Sequence, residues 1–447
     1  MPQTDDLKLA YTTLANKQAL YAKLRDYYDG NQPLRYSAER LRRVFEHMDT
    51  QFSQNWCAVV VDAVLDRLNI TGWTVQGSQA LSDQLNDLWT RTEMTLDDVD
   101  AHLAALVIGE AFVIVGRDES TGEVEAYYND PLLCHLWYET NHPRQKRMAA
   151  KWWVDDEGKR RLTLYYANRL EHYVSSGKAE NVSNAASFVP AEPPVETNIW
   201  DEIPIFHLRR SRRSVESELT NVIPIQDAVN KLMSDMMVAA EFGAFRQRWV
   251  ISNADLGTLK NSPSEIWDLP AGNGMGQQTS VGEFGQADLN VYLNAMDKLS
   301  LSLAAISRTP KHFFFGAGGD PSGEALVAME APLNKKCAAY IERFSFVWRD
   351  VARFMFKAAG QTVDEMTIEP VFASPETVQP MTRAQVHQTE TSAGIPLRTV
   401  LRREGWSSDE LDAMDKDKAT ESAAGAASFG AAMAEAARRA SAGETEV

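Results

Sequence analysis

The longest periodic stretch of the chain lies at residues 320–359 and reads DPSGEALVAMEAPLNKKCAAYIERFSFVWRDVARFMFKAA. Asp320 and Pro321 are residue types favoured at a helix N-cap and in a first turn, so we expect a helix to begin there. Apolar residues then recur every three or four positions, at Leu326, Met329, Leu333, Cys337, Tyr340, Phe344, Val347, Val351 and Phe354. At about 1.5 Å per residue this helix spans about 55 Å, which is too long for an ordinary compact domain. Pro332 lies inside it and is expected to kink it.

Two further amphipathic helices precede this stretch. The first is expected at 221–245, with an apolar stripe of Ile225, Val229, Leu232 and Met236. The second is expected at 288–307, with a stripe of Leu293, Met296, Leu299 and Leu303. Residues 246–287 between them form a small Gly-rich insert with two expected strands, 248–251 and 265–269. Two helices therefore bracket an insert, and Thr309 and Pro310 close the second helix.

The N-terminal half mixes helices with short strands. Helices are expected at 5–29, 55–68, 81–91 and 96–108, and a strand at 70–75. Short β-branched and aromatic segments separated by turn residues predict a β-meander at 111–115, 124–128, 147–154, 161–166 and 171–174. Residues 175–204, with Pro190, Pro193 and Pro194, are expected to be a surface loop or linker. Helices at 383–393, 397–404 and 408–414 follow the long helix, and the Ala-rich tail from 416 is expected to be disordered or weakly helical. The fold class is α+β, mainly α.

Composition limits the function classes. The 447 residues carry 45 Lys plus Arg and 62 Asp plus Glu, a net charge of −17, which argues against a protein that grips nucleic acid through a basic surface. Cys57, Cys134 and Cys337 are far apart, so neither a disulfide framework nor a thiolate zinc site is expected. No signal peptide or membrane span is apparent, and we expect a soluble intracellular product.

Catalytic signatures are absent from the sequence. The Gly-rich segment 315–324 opens a helix and is able in principle to cradle phosphate, but it is not a P-loop, and we favour a mobile or close-packed loop. His135 and His142 lack metal-ligand spacing, and the acidic cluster of Asp97, Asp98 and Asp100 fits the first turn of a helix better than a metal site. The basic cluster 209–213 is expected to be a solvated or subunit-contact patch rather than a nucleic-acid site. We expect no enzyme activity, cofactor or metal, and an assembly component is the favoured class.

Several segments together resemble the portal, or head-to-tail connector, proteins of tailed bacteriophages, of the SPP1-type family. They lie in order along most of the chain, and the resemblance depends on their joint presence. They are YYDGNQPL at 27–34, NWCAVVVD at 55–62, SELTNVIPIQDAVNKL at 217–232, RTPKHFFFG at 308–316, SGEAL at 322–326 and GIPLRTVLRREGW at 394–406.

This resemblance implies a ring of subunits, typically twelve, at one capsid vertex, with a channel for double-stranded DNA. Carried onto this sequence, it implies a wing at 1–210, a first stem helix at 211–245, a clip at 246–287 and a second stem helix at 288–310. It further implies a tunnel loop at 311–323, a long kinked wing helix with a following strand at 324–377, and a crown at 378–415. The implied DNA-facing residues of the loop are Lys311, His312, Phe313, Phe314, Gly316, Gly318, Gly319 and Asp320.

The implied function is packaging and ejection of the genome from a virion assembled in the host cytoplasm. The implied partners are the terminase large subunit, the major capsid and scaffold proteins, and head-completion or connector proteins, with no membrane. Two alternatives stay open: another capsid-associated structural adaptor, and an enzyme that binds a phosphorylated ligand in the loop 316–323. Because the chain is acidic, we expect DNA to pass without tight, sequence-specific binding.

Overall fold

The computed structural model describes residues 5–32, 54–118, 120–244, 248–252, 267, 280–285, 288–314, 322–376, 380–403, 406 and 410–422. About half of these residues are helical, and the remainder includes four antiparallel sheets. The mixed fold class, rich in helix, is therefore confirmed. Within the part that the structure describes, no helix is both long enough and apolar enough to span a bilayer.

The helices are α1 (Asp5–Asp29), α2 (Trp56–Leu65), α3 (Gln79–Arg91), α4 (Met94–Val107), α5 (Ile223–Ala244), α6 (Asn290–Ser307), α7 (Gly323–Ala358), α8 (Pro380–Ser392) and α9 (Leu397–Arg403). Residues 410–422 are also helical, so the expected short helix at 408–414 continues into the segment beyond 416. The strands are β1 (Ile70–Val75), β2 (Glu110–Arg117), β3 (Val124–Asn129), β4 (Cys134–Tyr138), β5 (Lys146–Val154), β6 (Lys159–Tyr165), β7 (Arg169–Lys178), β8 (Phe188–Thr197), β9 (Ile205–Arg209), β10 (Arg248–Ile251), β11 (Ser280–Glu283) and β12 (Ile368–Phe372).

A five-stranded meander, in the order β4-β5-β6-β7-β8, contains most of the predicted short strands. The expected linker at 175–204 is wrong, because β7 extends to Lys178 and β8 occupies Phe188–Thr197. Strand β8 tolerates Pro190, Pro193 and Pro194 because it lies at the edge of the sheet. An edge strand has no neighbour on its outer side, so an N–H that is missing on that side costs no hydrogen bond between strands. Strands β4 and β9 were not predicted at all.

The other sheets connect distant parts of the chain. Strand β2 pairs with β3 on one side and with β9 on the other, and β1 pairs antiparallel with β12. In the small insert, the expected strand at 248–251 is confirmed as β10, which pairs with β11. A second strand was expected at 265–269. Only Trp267 of this segment is among the described residues, so the strand stays a prediction.

The long helix α7 is continuous from Gly323 to Ala358 and is the centre of the largest core. Its N-cap is Ser322, whose hydroxyl accepts a hydrogen bond from the Ala325 N–H at 3.3 Å, so the expected start at Asp320 is corrected by two residues. Serine satisfies one of the free N–H groups of the first turn as well as aspartate does. Pro332 lies within the helix and is exposed, and the kink stays a prediction.

Three apolar cores hold these elements together. The largest joins α7 to α2, α3, α4 and β1, and includes the fully buried Trp348 and Phe344. A second packs Leu7 and Leu14 of α1 against the meander. A third lies between β2 and the strands β4, β5 and β9. All three cysteines are free and buried.

Candidate functional site: the paired helices and the loop before the long helix

Helices α5 and α6 pack against each other, as the paired pattern predicts. The burial of the predicted stripes is uneven, however. Val229, Met296 and Leu303 are buried, whereas Leu293 is 41% exposed. The other predicted positions, Ile225, Leu232, Met236 and Leu299, are partly buried.

Besides Val229, helix α5 buries a row of polar side chains, which the apolar pattern did not predict. Gln226, Asn230 and Ser234 follow one another at intervals of four and are all buried. The Gln226 side-chain oxygen accepts the Trp56 N–H at 2.8 Å, and Asn230 accepts the Gln54 N–H at 3.3 Å. These side chains satisfy backbone groups at the start of α2, where helical partners are missing. This polar contact therefore fixes α5 against α2.

The segments that carry the family resemblance meet at this contact. The Tyr27 hydroxyl donates to Asp227 at 2.7 Å, and the Tyr28 hydroxyl donates to Asp62 at 2.9 Å. Asn55 caps α2 by accepting the Ala58 N–H at 3.2 Å, while its amide donates to the Tyr28 carbonyl at 2.5 Å. The end of α1, the start of α2 and the first turn of α5 thus form one connected hydrogen-bonded unit.

Glu218, just before α5, links that helix to α7. It is 8% exposed, and its carboxylate lies 2.5 Å from the Lys336 ammonium and 3.0 Å from the Arg210 guanidinium. The Tyr340 hydroxyl donates to the same carboxylate. Burial works against ionisation of Glu218, but Lys336, Tyr340 and Arg210 hold its pKa below the usual value. Glu218 is therefore a buried, paired anion at the base of α5.

Lys336 also ties the end of α6 to the long helix. Its ammonium donates to the Ser307 carbonyl, the last residue of α6, at 3.0 Å. One turn and a half earlier on α7, Glu330 pairs with Arg67 at 3.1 Å and lies 4.0 Å from His312. Nothing in the sequence indicated that Glu218, Lys336 and Glu330 are buried. A charged side chain is usually solvated, and a buried ion pair can be recognised only when the residues that surround it in space are known.

The loop predicted at 311–323 is fixed at both ends. Lys311 lies 2.8 Å from the Asp297 carboxylate on α6, and Phe314 is 6% exposed with its ring centroid 5.7 Å from that of Trp56. At the other end, Ser322 caps α7. His312 and Phe313 lie between the contacts of Lys311 and Phe314, in a single 3₁₀ turn that begins at Lys311. The remaining predicted loop residues, Gly316, Gly318, Gly319 and Asp320, lie outside the described residues.

The second notable cluster of titratable groups surrounds Glu110, which is fully buried. Its carboxylate accepts the Tyr21 hydroxyl at 2.7 Å and lies 3.0 Å from His207 and 3.4 Å from Lys17. Burial opposes its charge, but hydrogen bonds with His135 and His207 and the Lys17 ammonium hold its pKa well below the usual value. The cluster joins α1 to the sheets.

Neither a metal site nor a nucleophile emerges from the described residues. No group of three or more His, Cys, Asp or Glu side chains is placed there to hold a metal ion. Of the acidic cluster on α4, Asp98 is buried and Asp97 accepts the Tyr128 N–H at 2.6 Å, so both have structural roles. Burial also raises the thiol pKa of Cys57 and Cys134 to about 12, far from the range of a reactive thiolate.

Helix α6 exposes apolar side chains on the surface that faces away from α5. Val291 is 64% exposed, Leu301 50% and Ile306 52%. Single exposed apolar residues are common on protein surfaces, whereas several on one helix form an apolar patch. The paired helices therefore present an apolar surface beside the fixed loop.

Comparison with known proteins identifies the family of this chain. The family model described as phage portal protein, SPP1 Gp6-like, matches residues 13–424. A curated protein named portal protein from Mycobacterium phage L5 is 22% identical over 340 residues, which cover 71% of this chain and 68% of that protein. The portal protein of Mycobacterium phage D29 is 22% identical over 392 residues, covering 82% of this chain and 78% of that protein. Because the family model spans most of the chain, this protein belongs to the SPP1 Gp6-like family of phage portal proteins.

Proposed function

We propose that the chain assembles into a closed ring, of twelve subunits in the usual case, at one vertex of a phage capsid. Double-stranded DNA enters and leaves the capsid through the ring. The terminase large subunit docks during packaging, the major capsid and scaffold proteins surround the ring during procapsid assembly, and head-completion proteins bind afterwards. The observation that carries this proposal is the family match across residues 13–424.

The parts of the ring are assigned by order along the chain. Residues 1–210 form the wing, α5 and α6 form the stem, and 246–287 form the clip between them. Residues 311–323 form the tunnel loop, α7 with β12 completes the wing, and 378–415 form the crown. The packing of α5 against α6 and the strand pair β10–β11 between them support the assignment of stem and clip.

The exposed apolar side chains of α6 support assembly into a ring. Val291, Leu301 and Ile306 lose contact with water only when another surface covers them. A neighbouring copy in a closed ring supplies such a surface for every subunit at once. We propose that α6 lies at the interface between adjacent subunits.

The anchored ends of the loop support a role beside DNA. The contacts of Lys311 and Phe314 at one end and of Ser322 at the other hold the two ends of the loop in place. Since Lys311 is already paired with Asp297, its charge is largely compensated within the chain. We therefore expect isolated rings to bind duplex DNA weakly at about 0.15 M salt.

Electron microscopy of the purified chain tests the proposal, with a matched pair of variants. The unmodified chain is expected to give closed rings, and Leu301→Glu is expected to reduce the fraction of ring particles at least tenfold. Leu96→Glu makes the same change at an exposed leucine of α4, outside the proposed interface, and is expected to leave the rings intact. The proposal fails if only monomers or closed dimers form under all assembly conditions, with scaffold protein or detergent varied.

A further inference from the structure

A basic cleft of about 670 Å³ lies between α7, the end of β9 and the hairpin of β4 and β5. Two acidic residues, Glu216 and Asp350, also line it. Its cationic side chains outnumber these three to one. They are Arg144, Lys146, Arg209, Arg210, Arg212 and Arg343.

Most of these cations have no acidic partner among the described residues. Arg210 is paired with Glu218 at 3.0 Å. Arg209 lies over the Tyr138 ring at 4.4 Å, and Lys146 donates to the Ile203 carbonyl at 3.1 Å. Within the part of the chain that the structure describes, none of Arg144, Lys146, Arg209, Arg212 and Arg343 has a carboxylate within 4.0 Å. The cleft therefore holds several uncompensated positive charges.

Of the two acidic residues of the cleft, Asp350 has a cationic partner outside it, whereas Glu216 keeps its negative charge. Asp350 pairs with Arg353 at 3.1 Å, and Glu216 accepts the Ser214 hydroxyl at 2.6 Å. Like charges held close together repel one another, and this repulsion is relieved only by anions. On a chain with a net charge of −17, such a concentration of cations identifies a local anion site.

The walls of the cleft are aromatic as well as basic. Phe206 lies 3.9 Å from the Lys146 ammonium, measured to its ring centroid, and Phe346 is 60% exposed at the rim. Burial is the main cause that lowers the Lys146 pKa to about 8; Asp350 and Glu202 partly oppose it, and Arg353 adds to it. A carboxylate beside Lys146 would offset that penalty. The cleft thus combines guanidinium forks that match carboxylates with a wall for an apolar side chain.

A short acidic peptide fits these features better than a nucleic acid does. A long polyanion bound here extends beyond the cleft onto a surface that is negative overall, where it is repelled. A short segment stays within the recess and meets mainly cations. We propose that the basic cleft docks a short acidic segment of a partner protein, with carboxylates on Arg209, Arg212 and Arg343 and an apolar side chain against Phe346. This inference does not depend on the proposed channel function.

Fluorescence anisotropy on the full chain tests the proposal. The probe is a labelled short peptide of alternating Glu and Phe, compared with the same peptide carrying Gln for Glu. We expect the Glu peptide to bind with an affinity that falls with salt, and the Gln peptide to bind at least tenfold more weakly. The double variant Arg209→Glu and Arg212→Glu is expected to weaken binding at least a hundredfold, about tenfold for each reversed charge.

Matched controls separate the cleft from general electrostatics. Arg213→Glu reverses the charge of an exposed neighbour that does not line the cleft, so it is expected to change binding less than threefold. If the double variant does not fold, Arg144→Gln with Arg343→Gln alters two exposed side chains and is expected to weaken binding at least tenfold. Phe346→Ala is expected to weaken binding severalfold without changing the dependence on salt.

Four results would overturn the proposal. One is equal binding of the Glu and Gln peptides, and another is an Arg213→Glu variant as defective as the double variant. A third is tighter binding of a single-stranded oligothymidine of the same length, lost in the same variants, which would assign the cleft to nucleic acid. The fourth is loss of rings in the double variant with no peptide binding by the unmodified chain, which would assign the cleft to a second copy of this chain.

Discussion

Replacing Lys336 by methionine is expected to destabilise the connection between the paired helices and the long helix. The Lys336 ammonium lies 2.5 Å from the Glu218 carboxylate, and at an effective dielectric constant of about 20 this separation corresponds to an attraction of roughly 7 kcal/mol. Removing the ammonium also removes the several kcal/mol that its own burial costs, and Arg210 stays beside Glu218. The net loss in the free energy of unfolding is expected to be about 3 kcal/mol, near the lower end for a broken buried pair.

Urea denaturation followed by circular dichroism, at several protein concentrations, measures this loss. Lys335→Met removes an ammonium from the adjacent exposed position and is expected to cost less than about 0.5 kcal/mol. The double variant Glu218→Gln with Lys336→Met removes both charges and is expected to be more stable than Lys336→Met alone, in which Glu218 stays buried with only the partly exposed Arg210 as a cationic partner. The reasoning is refuted if Lys336→Met and Lys335→Met have the same effect, or if the double variant is less stable than Lys336→Met alone.

Three further outcomes are expected from single positions. His102 is fully buried, and burial lowers its pKa to about 3, so protonation of His102 favours the unfolded chain. The free energy of unfolding should therefore fall by roughly 1 kcal/mol per pH unit as the pH drops from 6.5 towards 3. A His102→Gln variant, compared by urea titration, should lack this part of the pH dependence. Gly109 has φ +103°, and an added Cβ would lie 2.8 Å from the Glu216 backbone, whereas Gly158 has φ +75° and nothing within 4 Å of the added Cβ. Gly109→Ala should therefore lower the melting temperature far more than Gly158→Ala. Equal effects would show that backbone strain alone matters and that the close contact does not. Phe314→Ala should lower the free energy of unfolding, measured by urea denaturation, by about 3 kcal/mol. Phe284→Ala, at a site that is 60% exposed, should lower it by less than about 1 kcal/mol. A similar small loss for both variants would contradict the anchoring of the loop by Phe314.

Helices were the most predictable part of this chain because their signals are local. The stretch from Leu326 to Phe354 has one apolar face over many turns, and the structure places a continuous helix there. The strand β8 was missed for the opposite reason. Three prolines within ten residues favour a loop, and only the position of β8 at the edge of the meander makes them acceptable.

The candidate site shows the same division between local and non-local signals. The sequence predicted which two helices pair, but not that α5 also buries Gln226 and Asn230 beside its apolar stripe. A buried amide is stable only when its partners are in place, and here they are backbone groups of Gln54 and Trp56, at least 170 residues away. No periodicity in α5 contains that information. The basic cluster 209–213 was recognised as a patch, but its companions Arg144 and Arg343 come from other elements.

The pairing of β1 with β12 has a consequence for synthesis in the cell. The Thr71 hydroxyl donates to the Val371 carbonyl, 300 residues further along the chain. At about 5–20 residues per second, a ribosome needs roughly 15–60 s to make that interval, during which the open edge of β1 has no partner. An unpaired strand edge is a template for aggregation. The nascent chain therefore depends on the arrival of its own β12, and a message that ends before codon 368 leaves β1 without the strand that covers it.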